Sequence, residues 1–287
     1  MIVMTGAGGQ LGRLIAAELL AKVGPSGFSV TTRHPDKVAD LTARGVRAAQ
    51  GDFDDPAGLA QAFRGAETLL LISGETPVEV RIRQQRAAID AAKAAGVGRV
   101  VYTSFAGAGG TDPLDFATIH GDTERYLQDS GLAWTILRNG QYAENLAGAI
   151  GGARASGVLA LPAGPAGAAR VAYITRADIA AATAGALTGS GHAGRTYDLT
   201  GPTGLGYDQI AARLAAKFGK PVTYVDADPA EYGKVLAGFG LPEFLIQALI
   251  RIHAAAAAGK MNTVSADAAT LAGRPVEGID AWIERTV

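Results

Sequence analysis

The residues Thr5-Gly6-Ala7-Gly8-Gly9-Gln10-Leu11-Gly12 set glycines at 6, 9 and 12, between a short apolar run, Ile2–Thr5, and a helical pattern from Leu11 to Val23. Glycines in such a strand-to-helix turn have separate tasks. The first turns tightly, the second lets the backbone approach a pyrophosphate, and the third lets the helix pack close to the strand. The start of the helix then offers N–H groups and a positive dipole end to phosphate. The chemistry implied is dinucleotide binding, with Gly6, Ala7, Gly8, Gly9, Gln10 and Leu11 as the expected contacts. The pattern is G-x-x-G-x-x-G; the tighter G-x-G-x-x-G fails because Leu11 stands at its third glycine.

The residue after the second strand selects the dinucleotide. An NAD enzyme usually carries Asp or Glu there for the ribose hydroxyls. No acidic residue lies between Glu18 and Asp36, and Arg33 stands at the strand end, followed by His34 and Lys37. A guanidinium pairs with a 2′-phosphate through planar, charge-assisted hydrogen bonds, so the expected cofactor is NADP(H). Three further segments should reach the same edge. Asp52 and Phe53 follow the third strand and could face the adenine, although Asp52 could equally serve the turn before the next helix. Ser73 and Gly74 follow the fourth strand and can pass close to ribose or nicotinamide. Thr103, Ser104 and Phe105 close the fifth, with Ser104 offering a hydroxyl and Phe105 a ring to the substrate side.

A catalytic Tyr-x-x-x-Lys pair is missing, since none of the 8 Tyr has Lys four residues on. That excludes a Tyr–Lys alcohol dehydrogenase mechanism and argues against a sugar-nucleotide epimerase or dehydratase. The corresponding region reads His120-Gly121-Asp122-Thr123-Glu124. His120 and Glu124 sit one helical turn apart on one face, where an imidazole could give a proton or hydrogen bond to a reduced oxygen. The alternative is a pair that serves the helix start. There is no Walker A lysine motif, no G-x-S-x-G and no H-E-x-x-H.

The elements that must position these residues follow a regular alternation. Strand patterns at Ile2–Thr5, Phe28–Thr32, Val46–Gln50, Thr68–Ile72, Arg99–Thr103 and Leu132–Leu137 alternate with five helical patterns. Thr68–Ile72 is apolar throughout, as a strand buried on both faces requires. The expectation is a Rossmann-like α/β fold, a doubly wound parallel sheet, over 1–147. Residues 168–200 would lend it further strands and a helix. Gly148 to Gly167 is dense in Gly, Ala and Pro and reads as loop-rich. With 201–287 it is expected to form a smaller α/β substrate lobe at the sheet's carboxyl edge. Loops near 105–117 and 141–155 would wall the acceptor cleft.

Composition bounds the rest. The 287 residues are 48% hydrophobic, ample for a core. Lys+Arg 26 against Asp+Glu 27 offers no basic excess for nucleic acid or an anionic membrane surface. With 0 Cys and 4 scattered His, no metal site is expected, and the start lacks the features of a leader, so the expected location is the cytoplasm.

The stretches TGAGGQLG, TTRHPDK, GDFDDP, LLLISG, VVYTS, IHGDTERYLQDSG and ILRNGQYAEN, in that order, resemble the NmrA-like branch of atypical short-chain dehydrogenase/reductases. Within it the chain is most similar to bacterial NADPH:quinone oxidoreductases and triphenylmethane reductases. The resemblance runs nearly end to end. It implies that Asn139, Gly140, Gln141 and Tyr142 lie beside the nicotinamide and that Tyr142 and Asn145 border the substrate. It also implies that residues 6–11 and Arg33 hold NADPH. One departure is Gly8, where the family usually has Thr. The function implied is hydride transfer from NADPH to a quinone-like or extended electrophilic small molecule. Such an acceptor takes hydride readily, so the missing Tyr–Lys pair is no obstacle. The alternative is a non-catalytic NADP(H)-binding redox sensor of the NmrA type, which the absence of a partner-binding arm disfavours.

Overall fold

Each apolar run of the first half forms a parallel strand, and each amphipathic stretch forms the helix that returns the chain. The computed structural model describes residues 1–108 and 115–287. In chain order the elements are β1 (Ile2–Met4), α1 (Gln10–Val23), β2 (Phe28–Thr32), α2 (Ala39–Ala43), β3 (Arg47–Gln50), α3 (Pro56–Ala62), β4 (Thr68–Ile72), α4 (Val78–Ala94), β5 (Arg99–Phe105), α5 (Asp115–Asp129) and β6 (Ala133–Asn139). There follow α6 (Ala147–Ser156), β7 (Val158–Leu161), β8 (Arg170–Val171), α7 (Arg176–Thr188), β9 (Arg195–Leu199), β10 (Leu205–Gly206) and α8 (Tyr207–Phe218). The last are β11 (Thr223–Asp226), α9 (Pro229–Gly238), α10 (Glu243–Ala257), α11 (Asp267–Ala272) and α12 (Ile279–Thr286).

Two units divide the chain. The first comprises Met1–Asn139, Arg176–Leu199 and Asp267–Pro275. It holds a seven-stranded sheet in the order β3-β2-β1-β4-β5-β6-β9, parallel throughout. The order reverses between β1 and β4, the place where ligands settle in open α/β sheets. Thr5 marks that junction: its hydroxyl donates to the Leu70 carbonyl at 3.3 Å and accepts from Ile72 N–H at 2.9 Å. One core face joins Val3, Leu59, Phe63, Leu69, Leu71, Ile89, Val100, Tyr102 and Leu127. Asp55 caps α3 through Gly58 N–H at 3.0 Å, with Pro56 at the first helical position. Pro35 starts a 3-10 turn, Pro35–Val38, which leads directly into α2.

The second unit comprises Gly140–Thr175, Thr200–Ala266 and Val276–Val287. Here β7 pairs in parallel with β11, and β8 in antiparallel with β10. The Gly/Ala-dense stretch 148–167 is not the loop its composition suggests, because it carries α6 and β7. Burial of Ile150 and Ala153 outweighs the weak helix propensity of three glycines, and Gly157, at φ 76°, ends the helix in the left-handed conformation. Of the strands expected within 168–200, the first is no more than Arg170–Val171, followed by one bridge between Tyr142 and Ile174. Of the two expected cleft walls, 141–155 is largely helical, while 109–114 of the other lies outside the described residues.

Candidate active site

The carboxyl ends of β1–β6 gather the residues singled out in the first unit. Gly6 has φ +69°, open to glycine at little cost. Gly9 is the residue before α1; its N–H reaches the Gly6 carbonyl at 3.0 Å and its own carbonyl accepts from Arg13 at 3.0 Å. No side chain caps α1 and no acid lies in its first turn. Helix geometry therefore leaves the N–H groups of Gln10, Leu11 and Gly12 without acceptors inside the helix. Of the three glycines at 6, 9 and 12, Gly12 is under the tightest constraint. A Cβ there would lie 2.1 Å from the Gly6 oxygen and 2.8 Å from the Gly6 carbonyl carbon. The turn and the helix thus meet backbone to backbone.

Arg33 follows β2 and is exposed. Lys37, not singled out beforehand as a contact, runs along the glycine loop: a Cβ on Gly8 would be 3.3 Å from Lys37 Cβ. A side chain at position 8 would press on the lysine stem, which would have to give by a few tenths of an ångström. Arg13 anchors the same turn, bonding the Lys37 carbonyl and pairing with Asp40 at 3.0 Å. The loop and the cations beside it fit a phosphorylated dinucleotide. Asp52 accepts from Asp54 N–H at 3.1 Å, and Phe53 leans on the core beneath the sheet.

Behind Ser73 and Thr103 lies a buried polar network. Ser73 N–H donates to Thr103 Oγ1 at 3.2 Å. The Gln85 amide contacts Ser73 Oγ at 2.7 Å, Tyr102 Oη at 2.6 Å and Thr123 Oγ1 at 2.6 Å. Tyr102 Oη also meets His120 Nδ1 at 2.6 Å. The His120 ring stacks near Phe105, with centroids 6.2 Å apart. Burial, with the Arg81 charge adding to it, pulls the imidazole pKa down to about 3, so the ring is neutral. Arg81 is itself buried and sits 5.6 Å over Phe116.

Glu124 shares α5 with His120 but joins a different set of partners. Arg138 holds both its oxygens, at 2.9 and 2.6 Å, and Ser104 donates to it at 2.5 Å. Ser104 and Glu124 therefore meet, while His120 meets Tyr102. Gln85 and Tyr102 carry this arrangement and were not among the sequence candidates. The available signal was a polar residue inside the buried stripe Arg81, Gln85, Ala88, Ala92 of α4, since buried amides need partners. In the second unit, Gln141 accepts from Ile174 N–H at 3.0 Å, which fixes the strand-like course before Tyr142; Tyr142 is half-buried and Asn145 exposed. Asn139 and Gly140 are buried at the end of β6 and just beyond.

Residues 6–189 match the family described as NAD(P)H-binding. The chain is 40% identical over 275 residues to quinone oxidoreductase 2 of Escherichia coli strain K12, covering 96% of this chain and 94% of the relative. A crystal structure of the E. coli NADPH-dependent quinone oxidoreductase complexed with NADPH superposes with a TM-score of 0.92 at 38% identity, over 99% of each chain. The Citrobacter sp. triphenylmethane reductase complexed with NADP(H) gives a TM-score of 0.92 at 29% identity, over 100% of this chain and 99% of that one. With the glycine cradle, the sheet order and these likenesses in agreement, the chain belongs to the NAD(P)H-binding family.

Proposed function

We propose that this protein is an NADPH-dependent oxidoreductase that passes hydride to a quinone-like or extended electrophilic small molecule. The observation that carries the reading is the backbone-on-backbone seat of Gly12 against Gly6, which shapes the turn for a diphosphate. When bound, NADPH supplies the hydride. The N–H groups of Gln10, Leu11 and Gly12, with the positive end of α1, hold the diphosphate. Arg33 and Lys37 supply charge for the 2′-phosphate. Asp52 and Phe53 would border the adenine, and Ser73, Gly74, Thr103 and Ser104 the ribose and nicotinamide. Asn139, Gly140, Gln141 and Tyr142 would complete the nicotinamide side, with Phe105, Tyr142 and Asn145 facing the acceptor.

The protein's main contribution is to hold donor and acceptor at reacting distance. His120 assists at the acceptor's oxygen. Glu124, saturated by Arg138 and Ser104, keeps α5 in register with β5 and β6 and so sets where His120 stands. The test is NADPH consumption with p-benzoquinone and a triphenylmethane dye in parallel. Turnover with either is the expected result. Tight NADPH binding with no turnover on any quinone, dye or enone refutes the catalytic reading and leaves the sensor alternative.

A further inference from the structure

The network behind β5 permits a count of hydrogens, and the count decides what His120 can do. Five contacts are short enough to require a hydrogen between the two atoms. Three are those of the Gln85 amide with Ser73, Tyr102 and Thr123. The fourth is Thr123 Oγ1 to the Ile119 carbonyl at 2.9 Å, and the fifth is Tyr102 Oη to His120 Nδ1. Each hydroxyl has one hydrogen; the amide has two on nitrogen and none on oxygen. The amide can present either end, and the surrounding partners decide which.

As the structure places it, with the amide nitrogen on Ser73 and the oxygen toward Tyr102 and Thr123, both hydroxyls give their hydrogens to that oxygen. The Thr123–Ile119 contact is then left with none, and Nδ1 of His120 must be the donor to Tyr102. With the nitrogen toward Tyr102 and Thr123, its two hydrogens serve those hydroxyls. Ser73 donates to the amide oxygen, Thr123 to Ile119, and Tyr102 to His120 Nδ1. All five contacts are satisfied, and no hydrogen is spare.

We infer that Gln85 and Tyr102 are positioning residues that lock His120 in the tautomer with its hydrogen on Nε2, making the imidazole a hydrogen-bond donor to the acceptor's oxygen and not its proton source. The inference rests on the reductase reading for the identity of the acceptor, but the lock itself does not. A neutral imidazole that lost its Nε2 hydrogen would have to take one from Tyr102, leaving a buried tyrosinate, and burial already holds that hydroxyl well above its ordinary pKa. The hydride's two electrons therefore raise charge on the acceptor's oxygen, the Nε2–H stabilises it, and water supplies the proton. The groups facing His120 favour the same state. Arg81 on α4 opposes an imidazolium, Tyr102 on β5 donates to Nδ1, and Glu124 on α5 is neutralised by Arg138.

The experiment is long-range 1H–15N NMR of the intact protein labelled on histidine, with His120 assigned by loss of its signals in His120→Asn. The expected pattern is a neutral Nε2–H imidazole unchanged from about pH 5.5 to 8, around the ordinary histidine pKa. An Nδ1–H pattern, or titration to imidazolium in that range, overturns the lock. Gln85→Glu gives a second arm, since a carboxylate only accepts. Tyr102 should then turn to it and the tautomer should switch to Nδ1–H, whereas an unchanged tautomer overturns the role of Gln85. The acceptor part has its own readout. His120→Gln should lower kcat with p-benzoquinone about tenfold or more without moving the NADPH Kd, and an unchanged kcat overturns that part even where the NMR pattern holds.

Discussion

Replacing Gly12 with Ala tests the cradle directly. The new methyl would start 2.1 Å from the Gly6 oxygen and 3.0 Å from Ala7 Cα, and both are backbone atoms that cannot swing aside as a side chain would. Ordinary contact demands a retreat of about 1 Å, because closely packed interiors leave no void to absorb it. Forcing such a group into a packed site costs about 1–3 kcal/mol of stability. The larger effect should fall on the ligand. A shift of about 1 Å carries helix-start N–H groups out of hydrogen-bonding range of a phosphate oxygen. Losing even two charge-assisted bonds costs about 3 kcal/mol or more. That is a rise in Kd for NADPH of about a hundredfold. NADPH fluorescence titration measures the affinity, and urea unfolding followed by circular dichroism measures the stability. Gly148→Ala is the control, since a Cβ there meets nothing within 4 Å. A folded Gly12→Ala protein whose Kd stays within about threefold of the parent would refute the proposition that this turn holds the diphosphate.

Other outcomes follow from the same geometry. Arg33→Glu should invert the coenzyme preference, read as the ratio of kcat/KM for NADPH and NADH; a variant that still prefers NADPH contradicts the assignment of the 2′-phosphate to this position. Arg138→Met leaves the buried Glu124 with Ser104 alone and should cost about 2–4 kcal/mol in urea unfolding, discounted for the partial exposure of the guanidinium. Acid should weaken the fold through two histidines. Burial lowers His120 to about 3 and His253 to about 4, so between those values and the ordinary pKa near 6.5 the unfolded chain binds more protons. Their stabilisation is complete above about pH 6.5 and drains as pH falls below it, by about 2 kcal/mol for each at pH 5. Urea midpoints at pH 7.5 and 5 read the loss, and a His120→Asn protein with undiminished acid sensitivity would remove that residue from the account.

Local chemistry made the sheet legible. The all-apolar run Thr68–Ile72 and the Gly6–Gly12 spacing each act within a few residues, and each appears as written in β4 and the first turn. Where tertiary packing overrides composition, the sequence misleads. In AGAIGGARAS the four alanines favour a helix and the three glycines oppose it, and the balance is tipped by the burial of Ile150 and Ala153. The site divides in the same way. Arg33 can be found from its place after a strand. Lys37 is seen beside Gly8 only once the turn after β2 has folded back. The meeting of Gln85, Tyr102 and His120 depends on the packing of α4, β5 and α5, and sequence separations of 17 and 18 residues carry no sign of it.

The segment 267–275 has a consequence for synthesis. Arg274 pairs with the buried Asp178 at 2.6 Å, Asp267 accepts from Asp198 N–H at 2.9 Å, and Gly185 is bare because the Leu271 carbonyl rests where a methyl would stand. The last pieces of the nucleotide-binding half are thus translated after most of the other half. A nascent chain that has cleared the ribosome only as far as β9 exposes a flank of α7 that nothing yet covers. Until residues 267–275 have been made, that unsealed flank is the surface on which chaperones would be expected to act.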